Sequence, residues 1–315
     1  MDALKQRKPA GEPDGRVAPE LLARVQKLQI RTHRLVNTAL AGSYRSVFRG
    51  QGIEFEEVRP YQPGDEVRAI DWNVTARAGE PFVKAYREER ELSIHLLVDT
   101  ALSMDFGTGD WTKREAAAQL AGLMAHVAMR NQDRVGLTLF GPETLSHLKT
   151  GKSSRHILRL IADVMTAPVS SEPSDLHGVL EATGNVLHRR SLVMFFSDFA
   201  GAEDGGRWVE QLSRLGRRHD VIAVRVFDGL EKELPPVGPL WLRSSRTGKA
   251  REIDGRSEAV RAAWAADAKA REERVNKHLA RARVDVMDIH AGEDLSVPLV
   301  AYFRRRALRM GRRQA

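Results

Sequence analysis

The chain of 315 residues contains no cysteine. Disulfides, thiolate nucleophiles and cysteine-ligated zinc are thereby excluded, which is compatible with a reducing compartment. It has no apolar run of about 18 residues, the length a membrane-spanning helix needs. The opening MDALKQRKPAGEPDGR lacks the apolar segment of a secretory signal, so residues 1–18 read as a disordered polar tail. No H-x-x-x-H pair is backed by a nearby acid, and Ser103 sits in no G-x-S-x-G elbow. KTGKSS ends like a phosphate-binding loop, but Ser146 stands where the first glycine belongs, so no nucleotide is expected. No fixed-period repeat is present. These absences leave the expectation of a cytoplasmic chain without a membrane span.

What is present is enough apolar material, 42% of residues, for a sizeable core. The net charge of +8 permits an acidic partner without requiring one. From about residue 91, apolar runs of strand length alternate with helical patterns. SIHLLVD and SLVMFFSD are apolar throughout, as in strands covered on both faces. TKREAAAQLAGLMAHVAMR opens with Thr112 and Glu115 at capping-box spacing. This alternation predicts an α/β fold with a doubly wound, mostly parallel sheet. Two alternating runs flank RTGK, which predicts a β-hairpin insertion at about 238–255. The basic end AYFRRRALRMGRRQA reads as a terminal helix packed through Leu295, Leu299, Tyr302 and Phe303, with solvated arginines. No nucleic-acid motif supports using that charge on DNA or RNA. The organisation is thus a tail (1–18), an N-terminal helix from Pro19 to about Asn37 with a small lobe (19–90), and the α/β domain (91–315).

Ligands of such sheets sit at the carboxyl ends of the strands. Asp99 and Ser103 follow the first apolar strand, Ser174 precedes a helix, and Asp198 follows the strand SLVMFFS. Together they make a hard oxygen set of the kind that takes Mg²⁺ or Mn²⁺. A structural role stays open beside this reading, because Ser174 has the place of a helix cap and Asp198 could serve its own loop. The pattern resembles the von Willebrand factor A fold, whose metal-ion-dependent adhesion site is written D-x-S-x-S, then Thr, then Asp. The resemblance implies that Asp99, Ser103, Ser174 and Asp198 are the metal residues. Ala101 stands in place of the first serine, so one direct hydroxyl ligand is missing.

The lobe carries the longer pattern. Gly50-x-Gly52-x-Glu54-Phe55 is followed by Arg59-x-Tyr61-x-Pro63-Gly64-Asp65, Arg68-x-Ile70-Asp71-Trp72 and Ala76-Arg77. Gln62 to Asp65 has the composition of a type II turn, and Asp71 is placed to cap a helical turn ending near Gly79. The interleaved acids and arginines predict a compact, ion-paired lobe with Trp72 as its apolar anchor. These charges either fix geometry or form a docking surface. The segment closely resembles the signature of the domain-of-unknown-function 58 family. That resemblance implies a von Willebrand A-like domain behind a family-specific lobe. It implies partnership with a MoxR-type AAA+ ATPase and a client protein in a chaperone-like, non-enzymatic role. A metal-dependent hydrolase at the same strand ends, with Asp105 as its nearest base, and a basic nucleic-acid binder are the alternatives.

Overall fold

The computed structural model describes Tyr44 and residues 54–87, 91–245 and 247–314. The tail and the helix expected from Pro19 lie outside the described residues. The central sheet has six strands: β3 (Ser93–Asp99), β4 (Arg134–Phe140), β5 (Thr144–Gly151), β6 (Leu192–Ser197), β7 (Asp220–Phe227) and β10 (Asp285–His290). Their spatial order is β10-β7-β6-β3-β4-β5. Every neighbouring pair is parallel except β4 with β5, which closes one edge antiparallel. The chain winds outward from β3 in one direction and then from β6 in the other. Between these two strands the connections diverge, and their carboxyl ends border an open crevice.

Helices cover both faces. On one lie α2 (Lys113–Arg130), α3 (Ser154–Thr166) and α8 (Ser296–Gln314). On the other lie α4 (Leu176–Val186), α5 (Arg207–Arg218) and α7 (Glu258–Ala282). Side chains alternate accordingly: Ile94, Leu96 and Val98 of β3 join the first core, and Leu97 joins the second. α2 is buried nearly all round, which explains its alanine-rich sequence: small side chains let neighbours approach closely. Thr112 and Glu115 form the predicted capping box. Leu295, Leu299, Tyr302 and Phe303 are buried as the terminal-helix reading expects.

Two small sheets stand apart from this layer. β8 (Pro239–Arg243) and β9 (Ala250–Asp254) make the inserted hairpin. β1 (Glu54–Pro60) pairs antiparallel with β2 (Phe82–Arg87) and frames the signature lobe, Glu54 standing opposite Arg87. Asp71 caps α1 (Trp72–Ala78) by accepting from the amides of Asn73 and Val74. Gly79 ends it in the left-handed region at φ 76°, where a Cβ would be strained. Arg59 holds Asp65 through two hydrogen bonds of 2.8 and 2.7 Å, and Gly64 takes φ 111° in the turn between them.

The lobe departs from expectation at Trp72. Its side chain is 67% exposed, so it is no anchor, and Val67 in the same lobe is 62% exposed. Asp71 must point its carboxylate at the helix N-terminus, and the following residue is then turned outward. Arg68 and Arg77 are also exposed, and Tyr61 is half-buried. Asp71→Ala should therefore cost about 1 kcal/mol through the lost cap. Trp72→Ala should stay within about 0.5 kcal/mol of wild type. Chemical denaturation of both variants measures this contrast.

Beneath the second face, His95 of β3 is buried. It sits 2.8 Å from Thr138, which in turn meets His147 at 3.0 Å. Gly136 makes room for it, since a Cβ there would lie 2.9 Å from the His95 Nδ1. Burial, and secondarily His147 and His219, hold the His95 imidazolium pKa down at about 4. The unfolded chain takes up this proton near pH 6.5, so the stability it contributes is present above that pH and lost as pH falls through about 4. Asp99, described below, acts in the opposite sense. The difference between wild type and His95→Leu isolates the histidine. That difference should change by up to about 3 kcal/mol between pH 7 and pH 4. Urea titrations at stepped pH read it.

Candidate functional site

Asp99 is the last residue of β3 and is buried. A carboxylate there needs several donors, and three reach it. The Ser174 hydroxyl donates to Oδ1 at 2.5 Å, the Ala101 amide to the same oxygen at 2.9 Å, and the Ser197 hydroxyl to Oδ2 at 2.7 Å. Burial and the neighbouring Asp198 charge nonetheless push the Asp99 carboxyl up to about 6. Its folded value therefore lies above its unfolded one, and its contribution to stability is lost as pH rises through about 6. Ser174 caps nothing: the cap of α4 is Asp175, which accepts from the Gly178 amide. That frees the Ser174 hydroxyl for Asp99.

Asp198 follows β6 and meets a different partner. Lys113 Nζ donates to its Oδ2 at 2.7 Å, the Ala200 amide to its Oδ1 at 2.9 Å, and the Ser103 hydroxyl also donates to it. The same ammonium donates to Glu231 at 2.5 Å. Glu231 lies on the short helix α6 (Gly229–Lys232) after β7. The Lys113 side chain is fully buried, and its carboxylate partners keep it protonated despite that burial. The ammonium beside Asp198 holds that carboxyl below the usual range against the pull of burial. Lys113 is also the first residue of α2, where the helix dipole disfavours a cation. Only the two carboxylates make that position acceptable.

The structure thus gathers Asp99, Ser103, Ser174 and Asp198 at one crevice. It adds Ser197 and Lys113, which sequence reasoning missed. Ser197 was legible only as the end of an apolar strand. Lys113 had one signal: a lysine where helix N-termini favour acids. Asp105, the candidate base, is instead held by Arg114 at 2.7 Å.

A divalent ion would find these oxygens already engaged. Both Asp99 oxygens and both Asp198 oxygens already accept protein donors. Ala101 offers no oxygen from its side chain. Among the described residues, no group of three or more His, Asp or Glu side chains could hold a metal ion. A hard dication needs about six oxygens and net negative charge. Beyond the acids there are only the neutral hydroxyls of Ser103, Ser174 and Ser197, each spent on a carboxylate, and a lysine has taken up the charge of one carboxylate. The residues do not fit a divalent ion as they are arranged.

Around this centre lie two cavities. One of about 430 Å³ is lined by Asp99, Ser103, Ser170, Ser174 and Asp198. The other, of about 660 Å³, runs along the hairpin past Phe106, Phe227, Trp241 and Trp264. Ser103, Asp198, Phe199 and Ser244 belong to the walls of both. Trp241 is 71% exposed on the outer wall.

This geometry ranks the residues energetically. Ser197→Ala leaves a buried carboxylate oxygen without its donor and should cost about 1–3 kcal/mol. Glu231→Gln keeps an oxygen for the buried Lys113 ammonium but removes one of its two carboxylate charges, at a partly exposed position, and should cost about 1 kcal/mol. Thermal unfolding at pH 7.5 should place the two variants in that order.

Comparison with known proteins places the chain. Two relatives are each 33% identical over 238 residues, covering 75% of this chain and 74% of theirs. They are "Uncharacterized protein Rv1480" of Mycobacterium tuberculosis and "Uncharacterized protein Mb1516" of Mycobacterium bovis. Among solved structures, the conserved hypothetical protein BatB from Bacteroides thetaiotaomicron is similar at 12% identity with a TM-score of 0.41, over 69% of this chain and 99% of that one. The SpRpn10 VWA domain is similar at 13% identity with a TM-score of 0.38, over 68% and 95%. No described helix is long and apolar enough to cross a membrane. The family described as "Protein of unknown function DUF58" matches residues 57–274, and the chain belongs to it.

Proposed function

We propose that this protein is a non-enzymatic adaptor that binds a protein partner at the carboxyl ends of β3, β6 and β7. One observation carries this reading: two adjoining cavities share the Ser103–Asp198 wall, one lined with serines and one that sets aromatic side chains among charged ones such as Arg225, Lys232 and Glu272, flanked by exposed Trp241. A protein segment offers both kinds of group in alternation, and an exposed tryptophan at a concave edge is a typical anchor for binding energy. The buried acids support recognition over turnover. Asp99 is committed to three donors, Asp198 to Lys113, and Asp105 to Arg114, so none stands ready as a base beside an open nucleophile. The partner in this reading is a MoxR-type AAA+ ATPase, which supplies the ATP hydrolysis, and the pair acts together on a client protein. The family resemblance of the signature lobe supports that choice.

The test is titration calorimetry of the full chain with the MoxR-type ATPase of the same organism. Trp241→Ala and Ser103→Trp should each weaken binding at least about tenfold, on the order of 1–2 kcal/mol. Trp241→Ala should leave folding unchanged, because its side chain is exposed; Ser103→Trp also takes a donor from Asp198 and should lower stability by about 1–3 kcal/mol, so its binding is measured well below its unfolding temperature. No complex, or unaltered affinity in both variants, would overturn the reading. Turnover of phosphoester or peptide substrates with added Mg²⁺ would replace it with the hydrolase alternative.

A further inference from the structure

The strand-end crevice has the outline of a cation site, and a cation is already in it. We propose that Lys113 is the resident cation of this site, so that the crevice keeps its form without a divalent ion. Three observations converge. The ammonium lies 2.7 Å from Asp198 and 2.5 Å from Glu231, with its side chain fully buried. It sits at the N-terminus of α2, a position that repels a positive charge unless acids face it. The hydroxyls and amides around Asp99 and Asp198 complete their hydrogen bonding with protein donors.

A lysine differs from a metal ion in what it can do here. It is tethered, so it cannot leave, and it gives three N–H donors without accepting ligands from outside. An ion with an open coordination position would take a carboxylate from a partner; an ammonium already engaged by two carboxylates does not. Recognition at this crevice then runs through the hydroxyls of Ser103 and Ser174 and the aromatic and charged side chains of the adjoining cavity. Lys113 also ties the end of β6 to α6, so the walls of both cavities are held by one side chain. This proposal concerns the cation alone and stands whichever partner binds.

The missing serine at Ala101 and the lysine are separate explanations for weak metal binding, and a two-by-two set of variants separates them. Wild type, Ala101→Ser, Lys113→Met and the double variant are each titrated with Mn²⁺, with binding read from the paramagnetic resonance of the free ion. Wild type and Ala101→Ser should show no saturable binding. Lys113→Met should bind Mn²⁺ saturably, with an affinity on the order of tenfold or more above the detection limit that wild type does not reach, and the double variant should bind tighter still. Adding Asp198→Ala to the double variant should abolish the gain. Saturable binding by wild type that Asp99→Ala removes would overturn the proposal, as would binding restored by Ala101→Ser alone. Should Lys113→Met not fold without metal, its circular dichroism with and without Mn²⁺ decides. Rescue by the ion supports the exchange of one cation for another; a lysine-free chain that Mn²⁺ neither binds nor stabilises overturns it.

Discussion

The ion pair between Lys113 and Asp198 is the constraint on which the strand-end architecture rests. Three segments distant in sequence meet there: the start of α2, the end of β6 and the short helix after β7. Removing an ammonium and a carboxylate from water is costly, and only close geometry with further donors offsets it. Asp198 has those donors in Ala200 and Ser103. Lys113 has its second carboxylate in Glu231. Each segment is therefore held in place by the requirement that no buried charge stand alone.

Asp99 shows the complementary solution. It receives neutral donors only, from two serines and one amide, and its carboxyl remains raised by burial and by the charge of Asp198. Two acids at adjacent strand ends thus differ in character because one faces an ammonium and the other does not. The topology sets this up. β3 and β6 are neighbours whose connections leave toward opposite faces, so their carboxyl ends stay uncovered while their middles are buried on both sides. The hairpin β8–β9 then adds an outer wall, and the crevice becomes a pair of cavities rather than a flat edge.

The signature lobe illustrates a different economy. Its regular features are local: a turn with glycine at positive φ, a cap from Asp71, and a bidentate pair between Arg59 and Asp65. These suffice to order a two-stranded sheet and one short helix. They leave Trp72, Val67 and two arginines facing outward, a surface whose composition is unlike that of a self-contained fold.

Local chemistry was legible from the sequence alone. Strands apolar throughout announced a sheet covered on both faces. The Thr112–Glu115 spacing announced a helix start, RTGK a hairpin, and Asp71 with Gly79 the limits of a helical turn. Each depends on residues a few positions apart, and such residues interact whatever the rest of the chain does. Asp99, Ser103, Ser174 and Asp198 could be placed together because strand ends of a doubly wound sheet converge. What they touch could not be read. Whether Ser174 capped a helix or served Asp99 depended on its neighbour Asp175 taking the cap. Whether Trp72 was buried depended on the direction in which Asp71 had to point. The lysine 85 residues before Asp198 became its partner only when α2 packed beside β6. Sequence by itself determined the elements and the composition of the rim. Tertiary structure alone decided which charge balances which, because the energy of a buried charge is set by the few ångströms around it, and those are occupied by residues far away in the chain.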